Sequence, residues 1–289
     1  MKVLRHLIAM IVLTSLLSAC FVNNLIYKHI DWIIQYQIDR YFDLENPQEQ
    51  IVETAVKENV AWFKRERMPT LLDLLDGELK DAQARRLDAD STDRWAKLFE
   101  HDRRLIIARL LPTMVQVGIS LSSDQIAHFA KMMDRGNKNL KRAALAGASD
   151  FDGALDEFAE STFDRFEYLI GDLSDQQRTI IVNGMLWRQS DLQDELKVRQ
   201  RSRDFWIEVL QKHDQATLEL AIKRANNLDV VEPTESFVFY RKRSENWKAV
   251  RSALAPTMSE KQWLHLEKTL KELSEELHRL SGKGLDALQ

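Results

Sequence analysis

Apolar residues return every three or four positions along most of this chain, with polar residues sorted between them, which is the pattern of amphipathic helices rather than strands. Between Asn24 and Tyr41 the apolar set is Ile26, Ile30, Ile33, Ile34, Ile38 and Tyr41, interleaved with Lys28, Asp31, Gln35 and Asp39. This stripe reads first as a core helix. Its aromatic residues Tyr27, Trp32, Tyr36 and Tyr41 also suit a membrane interface, where a ring body and a polar tip are both satisfied. Asn46-Pro47-Gln48-Glu49 reads as a second helix start, with an Asn cap, proline at the first position and Glu49 returning a hydrogen bond. That helix carries Ile51, Val52, Ala55, Val56, Val60 and Phe63 and is expected to stop before Pro69, which disfavours helical geometry at Met68. Leu71 to Leu79 follows, and then Trp95, Leu98, Phe99, Leu105, Ile106 and Leu110 mark a helix expected to break near Pro112.

The second half repeats one short phrase. Leu121-Ser122-Ser123-Asp124-Gln125, Leu173-Ser174-Asp175-Gln176-Gln177 and Met258-Ser259-Glu260-Lys261-Gln262 all read apolar, Ser, two polar residues, Gln. A serine oxygen can accept from the amide three residues on while the glutamine reaches back, satisfying donors that every helix start leaves open. Leu121 with Ile126, and Met258 with Trp263, add a hydrophobic staple; at the middle copy the stapling position is Arg178. The unequal spacing argues against a strict solenoid. Helices are therefore expected from about 122, from Asp150 with Phe151, Leu155, Phe158, Phe163, Phe166 and Ile170, from 174 to about Lys212, from Ser236 to Leu254, and from 259. Asp229 to Glu235 reads as a loop. The last helix spaces Trp263, Leu266, Leu270, Leu273, Leu277 and Leu280 like a coiled-coil seam, and Gly282 and Gly284 end it.

Only 9 glycines and 5 prolines in 289 residues, with 30% charged side chains, fit a chain that is nearly all helix. The expected fold is all-α, a multi-helix bundle in two helical subdomains, 46–118 and 119–289, with the seam between Pro112 and Ser122.

The amino terminus has a different grammar. Lys2 and Arg5 precede an apolar run from Leu7 to Leu17 that is shorter than the roughly 20 residues a spanning helix needs, which reads as a secretory signal. It ends in Leu17-Ser18-Ala19-Cys20, holding the single cysteine of the chain. Those four residues resemble the lipobox of bacterial lipoproteins. The resemblance implies cleavage after residue 19, lipidation of the Cys20 thiol and acylation of the new amino terminus, with 20–45 as a lipidated lead-in. Several acyl chains on one residue anchor a protein stably without any span. Phe21 stands where the family's inner-membrane retention signal places Asp, so the resemblance points to the outer membrane, facing the periplasm. Removing residues 1–19 leaves 39 basic and 45 acidic residues, a net charge of −6, which argues against nucleic acid as a partner. With Cys20 lipidated no disulfide is possible, so stability rests on packing.

Candidate chemistry is sparse. The seven histidines are scattered, no two of them three or four residues apart, and neither a Gly-x-x-x-x-Gly-Lys loop nor a Gly-x-Ser-x-Gly elbow occurs. No cofactor or metal is expected. Glu160-Ser161-Thr162-Phe163 resembles the Glu-Ser-x-Phe of soluble-type lytic transglycosylases, which would make Glu160 a general acid on a peptidoglycan bond, although the Gly-Leu-Met-Gln segment that should follow is absent. The preferred reading is an exposed glutamate. A second constellation is Arg199, Arg203 and Trp206 on one helix with Tyr240, Arg243 and Trp247 on another, where guanidinium and indole share faces. Paired, these helices could surround an anion. With Glu195 and Asp204 beside the arginines, the preferred reading is an internal ion-pair network.

Asp31-Trp32, followed by Asp39-Arg40-Tyr41-Phe42-Asp43-Leu44 and a Pro-Gln helix start, resembles the amino-terminal signature of an uncharacterised family of Gram-negative lipoproteins, departing from it at Arg40 and at Glu45-Asn46. That family implies a helical lipoprotein and supplies no activity. The Ser-x-x-Gln starts are similar to the Leu-Thr-x-x-Gln motifs of Spy-type periplasmic chaperones, which implies binding of unfolded clients. The sequence thus leads to a non-enzymatic helical outer-membrane lipoprotein, held by its lipid, that binds an envelope protein or peptidoglycan.

Overall fold

A computed structural model of the protein describes residues 30–86, 89–185, 187–226 and 235–281, with the side chains at 89 and 235–244 outside that description. The signal sequence, Cys20 and the lead-in through residue 29 lie outside the described residues, as do the two terminal glycines and residues 229–234 of the loop expected from Asp229 to Glu235; Glu235 itself begins a helix. Twelve α-helices and no strand occur among the described residues, so the fold is the all-α bundle its periodicity predicts. They are α1 (Ile30–Phe42), α2 (Asn46–Glu66), α3 (Met68–Gln83), α4 (Ala89–Ser120), α5 (Ser123–Gly136), α6 (Lys138–Ala144), α7 (Phe151–Ile170), α8 (Asp175–Gly184), α9 (Gln189–Gln211), α10 (Gln215–Asn226), α11 (Glu235–Leu254) and α12 (Glu260–Leu280).

Several boundaries differ from the sequence reading for local reasons. The cap of α2 is Glu45, not Asn46: Glu45 is extended, Pro47 falls in the first turn, and Gln48 rather than Glu49 returns the hydrogen bond. Pro112 does not break α4, which runs continuously from 89 to 120. Leu98 at one end and Val115 and Val117 at the other are buried in separate cores, and that packing outweighs the local cost of a proline. The helix expected from 174 to 212 is two helices, because Met185 and Trp187 turn inward between them, with Trp187 edge-on to Phe158 at 5.3 Å. The helix from 123 pauses at the buried Asn137 before α6. Helix α10 is not among the helices expected from the sequence, although Asp214 accepts from the Thr217 amide at its start and Leu218, Ala221 and Ile222, spaced three and four apart, are buried.

Three cores result. The first packs α12 along α3, with Leu71, Leu72 and Leu75 against Leu266, Leu270, Leu273 and Leu277. The coiled-coil seam of α12 therefore holds, and its neighbour comes from the amino-terminal half. The second joins α6, α7, α8, the amino-terminal part of α9 and α11 around Leu140, Phe158, Ile181, Leu192 and Val250. The third joins α1, α2, α4 and α5 to α9 and α10 around Val56, Leu121, Ile126, Leu210 and Leu218. Two of the three cores draw residues from both sides of the 118/119 boundary. Glu78 of α3 adds a buried link, accepting from Trp95 Nε1 at 3.0 Å and pairing with Arg251 of α11.

The four helix starts at Glu45, Ser122, Ser174 and Ser259 are all capping boxes, and their glutamines meet in pairs. Gln48 and Gln125 donate to each other at 3.3 and 2.7 Å; Gln177 and Gln262 do the same at 3.1 and 2.9 Å. The surroundings match too. Gln48 also donates to the Ser120 carbonyl and hydroxyl, as Gln177 does to those of Thr257, while Gln125 reaches the Asp43 carbonyl and Gln262 that of Asp172. His128 bonds the Arg40 carbonyl at 3.0 Å, and His265 bonds that of Tyr168 at 3.0 Å. The α1–α2 and α4–α5 corners are thus one copy of a unit whose second copy is the α7–α8 and α11–α12 corners. In this register Arg40 matches Tyr168 and Glu45 matches Ser174. The second copy carries one extra residue, Gly171, at φ 80°, a backbone conformation glycine adopts without penalty.

Candidate binding site

The first helix meets two demands at once. Ile30 is buried, and Ile34, Ile38 and Tyr41 pack on the third core, so the stripe is a core face. Trp32 and Tyr36, four residues apart, point the other way: they are 61% and 49% exposed and stack with ring centroids 5.7 Å apart and planes 15° from parallel. Exposure of two large rings side by side is unusual when the chain has cores that could take them.

These rings form one wall of a shallow cleft of about 260 Å³ between α1 and α2. Its floor is Leu44 and Val52, both buried, and its other walls are Gln35 and the carboxylates Asp39, Glu49 and Glu53. Asp39 Oδ1 accepts from the Leu44 amide at 2.9 Å, which fixes the turn between the helices. Glu53 pairs with Lys57 one turn on; that hydrogen bond and charge, with Asp31 adding to them, hold the Lys57 ammonium above its ordinary value. A surface of stacked rings flanked by carboxylates is suited to a cationic group, which gains from the ring faces and from the charges together.

The described members of the arginine constellation are held by separate partners. Arg199 pairs with Glu195 and donates to Asn137 Oδ1 at 3.2 Å; Arg203 binds Asp204, at 2.7 Å, and Asp134 of α5. Those bonds raise the Arg203 guanidinium above its ordinary value, Asp204 contributing first and Asp134 next. The Arg199–Glu195 pair is buried, whereas Arg203 joins α9 to Asp134 of α5 at the surface, its two carboxylate partners being mostly exposed. Trp206 packs on the third core and Trp247 on the second, against Phe166 at 5.4 Å, so the two indoles belong to different cores. The side chains of Tyr240 and Arg243 lie outside the described residues. Cation–π contacts occur instead at Arg109 over Trp62, at 4.6 Å, and at Arg178 over Phe163, at 4.7 Å.

Glu160 stands on the solvent side of α7, while Phe158 and Phe163 turn into the second core. That position does not desolvate the carboxyl, as a general acid on a glycosidic bond requires. Among the described residues no group of three or more His, Cys, Asp or Glu side chains is placed to hold a metal ion.

Sequence reasoning placed Trp32 and Tyr36 in a stripe but did not find the cleft. The signal was present in their positions, since both fall off the face defined by Ile30, Ile34 and Ile38. Compared with protein-family models, with curated proteins and with solved structures, the chain gives no match.

Proposed function

We propose that the chain is a lipoprotein of the outer membrane, tethered through Cys20 and facing the periplasm, whose helical body is a non-catalytic binding or accessory module. The observation that carries this reading is the exposed Trp32–Tyr36 pair on a helix whose first described residue lies ten positions after Cys20. Ten residues reach about 35 Å at most, so a lipid on Cys20 would keep this surface close to the bilayer. No single helix among the described residues is long and apolar enough to cross a membrane; one pair, residues 90–120 with 123–136, passes on length and composition but is bent by 114°. The rest of the body supports a rigid presenting scaffold, with its glutamine clasps and ion pairs joining helices to one another.

The test is photocrosslinking in intact cells from residue 36. A photoreactive residue at Tyr36 is expected to give one discrete adduct that is lost when Cys20→Ser detaches the chain, while the same group at the exposed Leu264 gives none. Equal adducts from both positions, or none from either, would reject a binding role for this surface.

A further inference from the structure

The two copies of the helix corner differ in one telling place, and the comparison deepens the reading of the α1–α2 cleft as a binding surface, on which it rests. In the second copy the fourth residue of α8 is Arg178. Its guanidinium lies 4.7 Å from the centroid of the Phe163 ring and pairs with Glu167 of α7. The positions that match Arg178, Glu167 and Phe163 in the first copy are Glu49, the fourth residue of α2, and Asp39 and Gln35 on α1, so the rings of the first copy, Trp32 and Tyr36, stand at other positions of that helix. One corner therefore carries its own cation between a ring and a carboxylate. The other sets two carboxylates at the positions of Arg178 and Glu167 and stacks two exposed rings beside them.

We propose that the first corner takes its cation from another molecule: the α1–α2 cleft is a docking site for an arginine-bearing basic segment of a partner protein. Charge complementarity argues for it, since Asp39, Glu49 and Glu53 line the cleft and Lys57 answers only Glu53. Geometry argues for it as well. A planar guanidinium can lie on the Trp32–Tyr36 surface while donating to Asp39 or Glu49, the same division of contacts that Arg178 makes with Phe163 and Glu167. A phospholipid surface is a poorer occupant, because its phosphates would face those carboxylates. The net charge of −6 after residue 19 extends the attraction to a basic partner beyond the cleft.

The test uses the full chain in detergent micelles and a short capped peptide with two arginines, measured by titration calorimetry beside the same peptide with citrulline in place of arginine. The arginine peptide is expected to bind, to weaken as salt is raised, and to lose roughly tenfold in affinity with Trp32→Ala. Glu49→Arg gives the first copy the cation of the second; it is expected to abolish peptide binding while leaving the melting transition unchanged or raised. Equal binding of the citrulline peptide overturns the proposal, as does undiminished binding to Glu49→Arg. So does binding through Trp32 to vesicles of phosphatidylethanolamine and phosphatidylglycerol with no binding of the peptide. Membrane attachment is read separately, by whether Cys20→Ser releases the chain, so loss of the docking claim leaves the tethering claim standing or falling by itself.

Discussion

Gln177 and Gln262, 85 residues apart, each donate a side-chain hydrogen bond to the other while each also closes the capping box of its own helix. Every donor and acceptor of the two amides is therefore used: each oxygen accepts from a cap amide and from the partner, and each nitrogen donates to the partner and to a backbone carbonyl. Both side chains are buried, so removing one strands groups that cannot reach water.

Gln177→Ala is expected to cost about 3 kcal/mol, combining a lost cap with unsatisfied donors on Gln262 and Ser174. Urea unfolding measures it. A double-mutant cycle with Gln262→Ala should give a coupling of about 1–3 kcal/mol, because the second deletion removes the partner that the first left unpaired. Additive losses would show that the reciprocal bond contributes nothing.

Gly184 separates two effects that are often confounded. A methyl there would collide with Val250 Cγ2, and Val250 is fully buried with a β-branched side chain that has little room to rotate. The gain in helix propensity, about 1 kcal/mol, is expected to be outweighed by about 1–3 kcal/mol of overpacking, so Gly184→Ala lowers the melting temperature. At Gly77 a methyl meets nothing within 4 Å, and Gly77→Ala should stabilise by about 0.5–1 kcal/mol. Thermal melts of the two variants should move in opposite directions.

Acid should weaken the α4–α10 junction. Burial pushes the Glu100 carboxyl up, but hydrogen bonds from Arg103 and Arg104, with their charges, together hold it below its ordinary value of 4.5. Arg103 in turn reaches Asn226 at the end of α10, at 3.1 Å. A carboxyl lowered in the folded state stabilises fully above its unfolded value and loses that contribution as pH falls through the folded one. The side chain is about a third exposed, so the effect is no more than about 1 kcal/mol. Unfolding at pH 7 and at pH 3 should show Glu100→Gln less stable than the parent at pH 7 and closer to it at pH 3. A constant difference would remove Glu100 from the acid response.

The all-helical fold was legible because periodicity and capping are local. Ser122, Ser174 and Ser259 each cap the helix expected of them, and Leu121 and Ile126 share a core as a staple should. Which helices meet is a long-range matter. The duplication stayed hidden because its first box begins with Glu45 rather than Ser, so three copies of a four-copy motif were visible at spacings that suggested no order. The structure supplies the missing rule: the glutamines pair as 48 with 125 and 177 with 262. The split into subdomains at 118/119 failed to anticipate α12 lying on α3, since an apolar seam does not name its neighbour. The cleft was hidden for the same reason. Trp32, Asp39 and Glu49 are ordinary residues of two helices until the turn at Asp43 brings those helices together.

The claim that a tethered body presents this surface at a membrane is tested most directly by mass spectrometry of the chain isolated from membranes. The account predicts an amino-terminal peptide beginning at Cys20 and carrying acyl chains, and a Cys20→Ser chain that keeps its leader and loses the lipid. An unmodified chain beginning at Met1, or a Cys20→Ser chain processed and retained as before, would contradict it.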